Sequence, residues 1–130
     1  MPLVTLTLQR ARPREFKTAV LDTVHRGLVA AGVPEADRFQ RVLELDADRF
    51  RFDATYPDVA TSRTADFVLI EILWSVGRSV KIKRKLVADI TSALAREAEL
   101  DPENVMIVFV ETACRATAHA CPSASPAPRR

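Results

Sequence analysis

The chain opens Met1-Pro2-Leu3-Val4. Initiator methionine is normally removed when the next residue is small, proline included, so Pro2 is expected to become the amino terminus. Its free secondary amine would be a base when neutral, an acid when protonated and a nucleophile toward a carbonyl. Amino-terminal amines titrate near neutrality, and modest burial or a neighbouring cation lowers the value further into the working range. Many cytosolic chains begin Met-Pro without catalysing anything, so this signal needs support from its surroundings. The other reactive side chains are less pointed. Cys114 and Cys121, with His119 between them, match no standard zinc spacing and read as free thiols, a disulfide being open to them in an oxidising setting. His25 falls beside an apolar helical stripe, with no second metal ligand at helical spacing, and is expected to decorate the helix edge. By its local context Asp37 is a loop carboxylate that caps a turn or pairs with Arg38.

These residues must be held by something, and the hydrophobic pattern supplies it. Leu3 to Leu8 alternates as a short strand, with Val4, Leu6 and Leu8 on one side. Pro13 suits the first turn of a helix whose apolar positions are Phe16, Val20, Val24, Leu28 and Ala31, and Gly32-Val33-Pro34 stops it. A second strand is expected over Phe39 to Leu45, followed by a polar, turn-rich connection from Asp46 to Asp66. Phe67 to Trp74 is almost continuously apolar and reads as a strand buried on both sides. Ser79 can cap a second helix carrying Ile82, Leu86, Ile90, Ala93, Leu94 and Ala98, ended by Asp101-Pro102. Val105 to Val110 is a fourth, β-branched strand. The order is a doubled β-α-β unit, each half long enough for a crossover between parallel strands. Two helices cover only one face of a four-stranded sheet, yet the strands are apolar on both, so the bare face predicts a homo-oligomer. Trp74 and Phe109 are assigned to core or interface.

At 130 residues the chain suits one folding unit and is too short for two large ones. A hydrophobic share of 48% against 28% charged describes a globular protein and excludes disordered or collagen-like classes. No apolar run approaches the roughly 20 residues of a membrane span. The start lacks the pattern of a secretory signal, making the cytoplasm the expected location. A net charge of +2 is weak support for a polyanion partner. The basic run Lys81, Lys83, Arg84, Lys85 reads by default as a solvated face, the alternative being that it strengthens the field near Arg78 for anionic substrates; no aromatic interleaving or known module accompanies it, so no nucleic-acid partner is expected.

Five segments in order carry a family resemblance: Met1-Pro2-Leu3-Val4, Gly32-Val33-Pro34-Glu35-Ala36-Asp37-Arg38-Phe39-Gln40, Phe52-Asp53-Ala54-Thr55-Tyr56, Gly77-Arg78-Ser79-Val80 and Asp101-Pro102-Glu103-Asn104-Val105. Over residues 2 to about 112 the chain resembles the tautomerase superfamily, and within it the malonate semialdehyde decarboxylase-like subgroup. The resemblance implies an α+β fold of duplicated β-α-β units, a four-stranded mixed sheet with two helices on one face, assembled as a trimer. It implies a cofactor-free, metal-free enzyme in which Pro2 is catalytic, Asp37 lies in the active site and Arg78 binds the substrate carboxylate. A guanidinium there fits the chemistry, since it recognises an anion bidentately and lowers a nearby amine's pKa by repulsion. Two positions depart from the pattern. Val76 stands where the decarboxylase resembles an Arg-x-Arg arrangement. The aromatic, glycine-rich closing segment of relatives is replaced by Thr112-Ala113-Cys114-Arg115-Ala116-Thr117 and an Ala/Pro/Ser/Arg tail.

The expectation is therefore a tautomerase-like domain over residues 1–112 and a mostly disordered tail over 113–130. Its expected function is tautomerase, hydratase or decarboxylase chemistry on small keto, enol or unsaturated carboxylic acids, with Val76 leaning the choice away from decarboxylation. The alternative is a trimeric scaffold or binding protein of the same fold with little catalysis.

Overall fold

The computed structural model describes residues 2–10 and 12–113. The readings of Cys114, His119, Cys121 and the tail lie outside the described residues. Strand β1 (Leu3–Gln9) is the alternating segment expected, and Val4, Leu6 and Leu8 are buried beneath the helices. Thr5 and Thr7, on its other face, are buried too, because β1 is an inner strand flanked on both sides. Helix α1 (Arg14–Ala30) begins one residue later than the proline pattern implies: Pro13 is the N-cap. Its stop is chemically explicit. Gly32, at φ +106°, donates its N–H to Val29, and Val33 donates to Leu28, the paired bonds that satisfy the last carbonyls when a left-handed residue follows a helix.

Strands β2 (Phe39–Leu45), β3 (Val68–Ser75) and β4 (Val105–Thr112) complete the sheet in the order β2-β1-β3-β4. Each β-α-β half is parallel, β1 with β2 and β3 with β4, and the halves meet antiparallel along β1 and β3. Helix α2 (Val80–Glu97) is capped by Ser79, whose hydroxyl accepts the Ile82 N–H at 3.2 Å. Both helices lie on one face, where Val20, Val24 and Leu28 of α1 and Leu86, Ile90 and Leu94 of α2 share a core with Val4, Leu6, Leu8, Val68, Ile70, Ile72 and Trp74. The helices approach closely at Gly27, where a Cβ would lie 2.8 Å from Ile90 Cγ1. The opposite sheet face leaves Phe39, Leu43, Val108 and Val110 exposed, the bare apolar surface expected.

One expectation is corrected. His25 does not decorate an edge: it is 3% exposed, with Nε2 2.9 Å from the Glu35 carbonyl oxygen. The chain leaving α1 turns back, burying Val33 and bringing the Glu35 carbonyl to the imidazole, which helical periodicity alone does not reveal.

The connection between β2 and β3 leaves from Leu45 and returns at Val68, so it occupies the sheet end away from Leu3. It is built around Phe50, Phe52 and Phe67, with ring centroids 4.4–5.7 Å apart. The Asp53 carboxylate accepts N–H bonds from Thr55 at 2.7 Å and Tyr56 at 2.9 Å, and the Thr55 hydroxyl at 3.0 Å. The Thr55 bonds first, then that of Tyr56 and the Arg63 charge, hold its carboxyl below the usual range.

Candidate active site

Strand register assembles the site. Leu3 pairs with Phe39 on one side and with Leu73 on the other. Pro2 is one residue ahead of that triple, Asp37 is two residues ahead of Phe39, and Trp74 is one residue beyond Leu73 in the antiparallel neighbour. The parallel pairing of β3 with β4 adds Glu111, opposite Trp74. Pro2, Asp37, Trp74 and Glu111 therefore gather at one end of the sheet, although the sequence spreads them over most of the chain. The β3–α2 turn that carries Arg78 leaves from the same end.

Each side chain has a definite environment there. Pro2 is buried and Asp37 half-buried, the latter in a turn closed by its own N–H to the Pro34 carbonyl at 3.0 Å. Arg38, the next residue, reaches Asp22 at 3.8 Å. The half-buried Arg78 has its guanidinium carbon 4.0 Å from the centroid of the Trp74 ring, and Nη1 donates to the Ser75 carbonyl at 3.2 Å. Trp74 in turn stacks on Phe109, with centroids 5.1 Å apart and planes at 11°. Val76 is exposed and adds no charge.

The basic start of α2 is not simply solvated. Lys83 is ion-paired with Glu111, both side chains only about a quarter exposed, and Lys85 pairs with Asp89 at 2.5 Å along the helix. Lys83 thus links α2 to the end of β4. Beside it Val80, Lys83, Arg84, Val87 and Phe109 line an open recess of 370 Å³, apolar in its walls and cationic at its rim. Among the described residues no cluster of histidine, cysteine and carboxylate side chains could hold a metal ion. No helix of the described residues is long and apolar enough to cross a membrane.

Two members of this end are not singled out by sequence reasoning. Trp74 reads there only as core or interface, because a residue four positions before an arginine signals nothing unless the intervening turn is known. Glu111 gains its meaning only from the β3–β4 register. The charged groups around this sheet end, a guanidinium and carboxylates, suit binding an anion and moving a proton beside it.

The sequence profile of the family described as "Tautomerase enzyme" matches residues 37–115. No curated protein matches the chain in sequence. Among solved structures, malonate semialdehyde decarboxylase is similar at 25% identity and a TM-score of 0.81, over 90% of this chain and 89% of that one. The FG41 malonate semialdehyde decarboxylase, solved inhibited by 3-bromopropiolate, is 27% identical with a TM-score of 0.81, over 93% and 91% of the two chains. A fused 4-OT solved as a symmetric trimer shares the fold at 20% identity and a TM-score of 0.67, over 92% and 94%.

Proposed function

The chain belongs to the tautomerase family, with the fold of malonate semialdehyde decarboxylase, and on that premise we propose that it uses Pro2 as an amino-terminal acid–base on small keto, enol or unsaturated carboxylic acids. Arg78 holds the substrate carboxylate, and Asp37 orients the substrate or activates water. The observation that carries this reading is the shared sheet end, where the register gathers Pro2 and Asp37 beside the turn that bears Arg78.

In a tautomerisation the neutral Pro2 nitrogen takes the enol hydroxyl proton as the carbonyl forms, and the same nitrogen delivers a proton to the adjacent carbon. Desolvation and a neighbouring cation each favour the neutral form of an amine, so burial of Pro2 and the charge of Arg78 suit this direction. In a decarboxylation a protonated Pro2 would polarise the substrate carbonyl while Arg78 turns the carboxylate out of plane. Val76 leaves one anchoring cation fewer, which favours tautomerase or hydratase chemistry over decarboxylation. The functional unit is a homotrimer, the assembly named for the fused 4-OT of the same fold, with interfaces that cover this chain's apolar sheet face.

The deciding experiment compares phenylenolpyruvate turnover by the parent and by Pro2→Ala, with mass spectrometry of the amino terminus. Loss of at least about a hundredfold in kcat is expected, the usual scale of a positioned acid–base group. Equal rates for the two proteins, or retention of Met1 in an active parent, would reject the role of Pro2.

A further inference from the structure

Arginine can be presented to an anion in many orientations, and here one is selected by the core. Gly77, at φ +130°, turns the chain after β3 so that Arg78 folds back over Trp74, four residues earlier. The indole beneath it is 1% exposed and braced by Phe109, so the platform moves only if the core moves. Stacking engages the flat face of a guanidinium and leaves its in-plane N–H groups for hydrogen bonds. Nη1 is engaged by the Ser75 carbonyl, and the others can meet both oxygens of a carboxylate.

We propose that Trp74 is the positioning residue of Arg78: its ring fixes the guanidinium plane so that the edge, and not the face, meets the substrate carboxylate. This rests on the reading of Arg78 as the carboxylate anchor. It also specifies the cation, since a lysine ammonium would keep the charge but lose both the stack and the two-pronged edge.

The test uses the full chain with Trp74→Phe, Trp74→Leu, Arg78→Lys, Arg78→Ala and the Trp74→Leu/Arg78→Ala double variant. Trp74 Nε1 has no hydrogen-bond partner among the described residues, so phenylalanine at this position keeps an aromatic face and orphans no acceptor. With phenylenolpyruvate, Trp74→Leu is expected to raise KM about tenfold with kcat within about threefold, the pattern of lost binding common to ground and transition states. Trp74→Phe should return KM to within about threefold of the parent, and Arg78→Lys should match Trp74→Leu. The double variant should be no worse than Arg78→Ala, because both changes remove one unit. Additive losses, or a fall in kcat with KM unchanged, would overturn the proposal.

A second readout needs no turnover. The Arg78 Nε–H resonance should be displaced upfield by the indole ring current and return in Trp74→Leu; no change overturns the stack. Should the parent prove inactive, the catalytic reading falls, and the positioning role is judged with benzoate as the probe. Benzoate perturbing this resonance in Trp74→Phe and not in Trp74→Leu supports it, and equal perturbation rejects it. If Trp74→Leu does not fold, Arg78→Lys decides: a parent-like KM, or parent-like benzoate binding where turnover is absent, rejects the proposal.

Discussion

Leu3 of β1 faces Leu73 of β3 across the antiparallel centre of the sheet, and this pair brings the start of the chain alongside the turn that carries Arg78. In the proposed chemistry the amine that matters is the first atom of the processed chain and not merely a proline near its beginning. Inserting leucine between Met1 and Pro2 blocks methionine removal and buries the ring nitrogen in a peptide bond. Turnover of phenylenolpyruvate is expected to fall at least about a hundredfold, as for loss of an acid–base group, while the denaturation midpoint stays close to the parent's. A steady-state assay beside a urea titration checks both.

The open sheet face supports a second expectation. Phe39 is 50% exposed and Val110 43%. Val110→Asp would place a carboxylate without a partner in the proposed trimer interface, a penalty of several kcal/mol if the face is covered. Light scattering after size exclusion is expected to find a trimer for the parent and smaller species for the variant.

Gly27 sets how closely α1 and α2 approach. An added methyl would meet Ile90 Cγ1 at 2.8 Å and Leu86 Cδ1 at 3.2 Å. Ile90 is β-branched and held in few helical rotamers, so it gives way poorly. Gly27→Ala gains about 1 kcal/mol of helix propensity and loses about 1–3 kcal/mol to overpacking. Net destabilisation of about 1 kcal/mol is expected from urea unfolding, against the usual stabilisation by alanine in helices.

Asp53 gives the connection between β2 and β3 a pH dependence. Its carboxyl is held below the usual range by the Thr55 bonds first, then by Tyr56 and Arg63. Its folded-state value lies under the unfolded one, so its contribution is fully present above the unfolded value. It disappears as pH falls through the folded one. Asp53→Ala is expected to lower the melting temperature at pH 7, with the gap from the parent narrowing below about pH 4, where unfolded aspartate gains its proton. Thermal melts across this range read the difference.

Most of the architecture was legible in the chain because it follows from local periods. The two-residue alternation of Val4, Leu6 and Leu8, the three- and four-residue steps of Val20, Val24 and Leu28, the Gly32 stop and the Ser79 cap are each decided by neighbours in sequence. The two helices and four strands follow from them, as does the unpaired apolar face. Met-Pro and the segments around Asp37 and Arg78 pointed to the family by the same reading along the chain.

What tertiary structure alone decided are contacts between residues whose separation carries no periodic signal. His25 looks like an edge residue until the chain after Gly32 turns back and brings the Glu35 carbonyl to it. Trp74 becomes the platform of Arg78 only through the backbone reversal at Gly77, and Glu111 meets Lys83 only because β4 joins β3 in one register. Local hydrophobic patterning determines which elements form and which side they bury. The directions of cations and carboxylates at the sheet end are settled by register and turn geometry, which emerge only when the elements pack together.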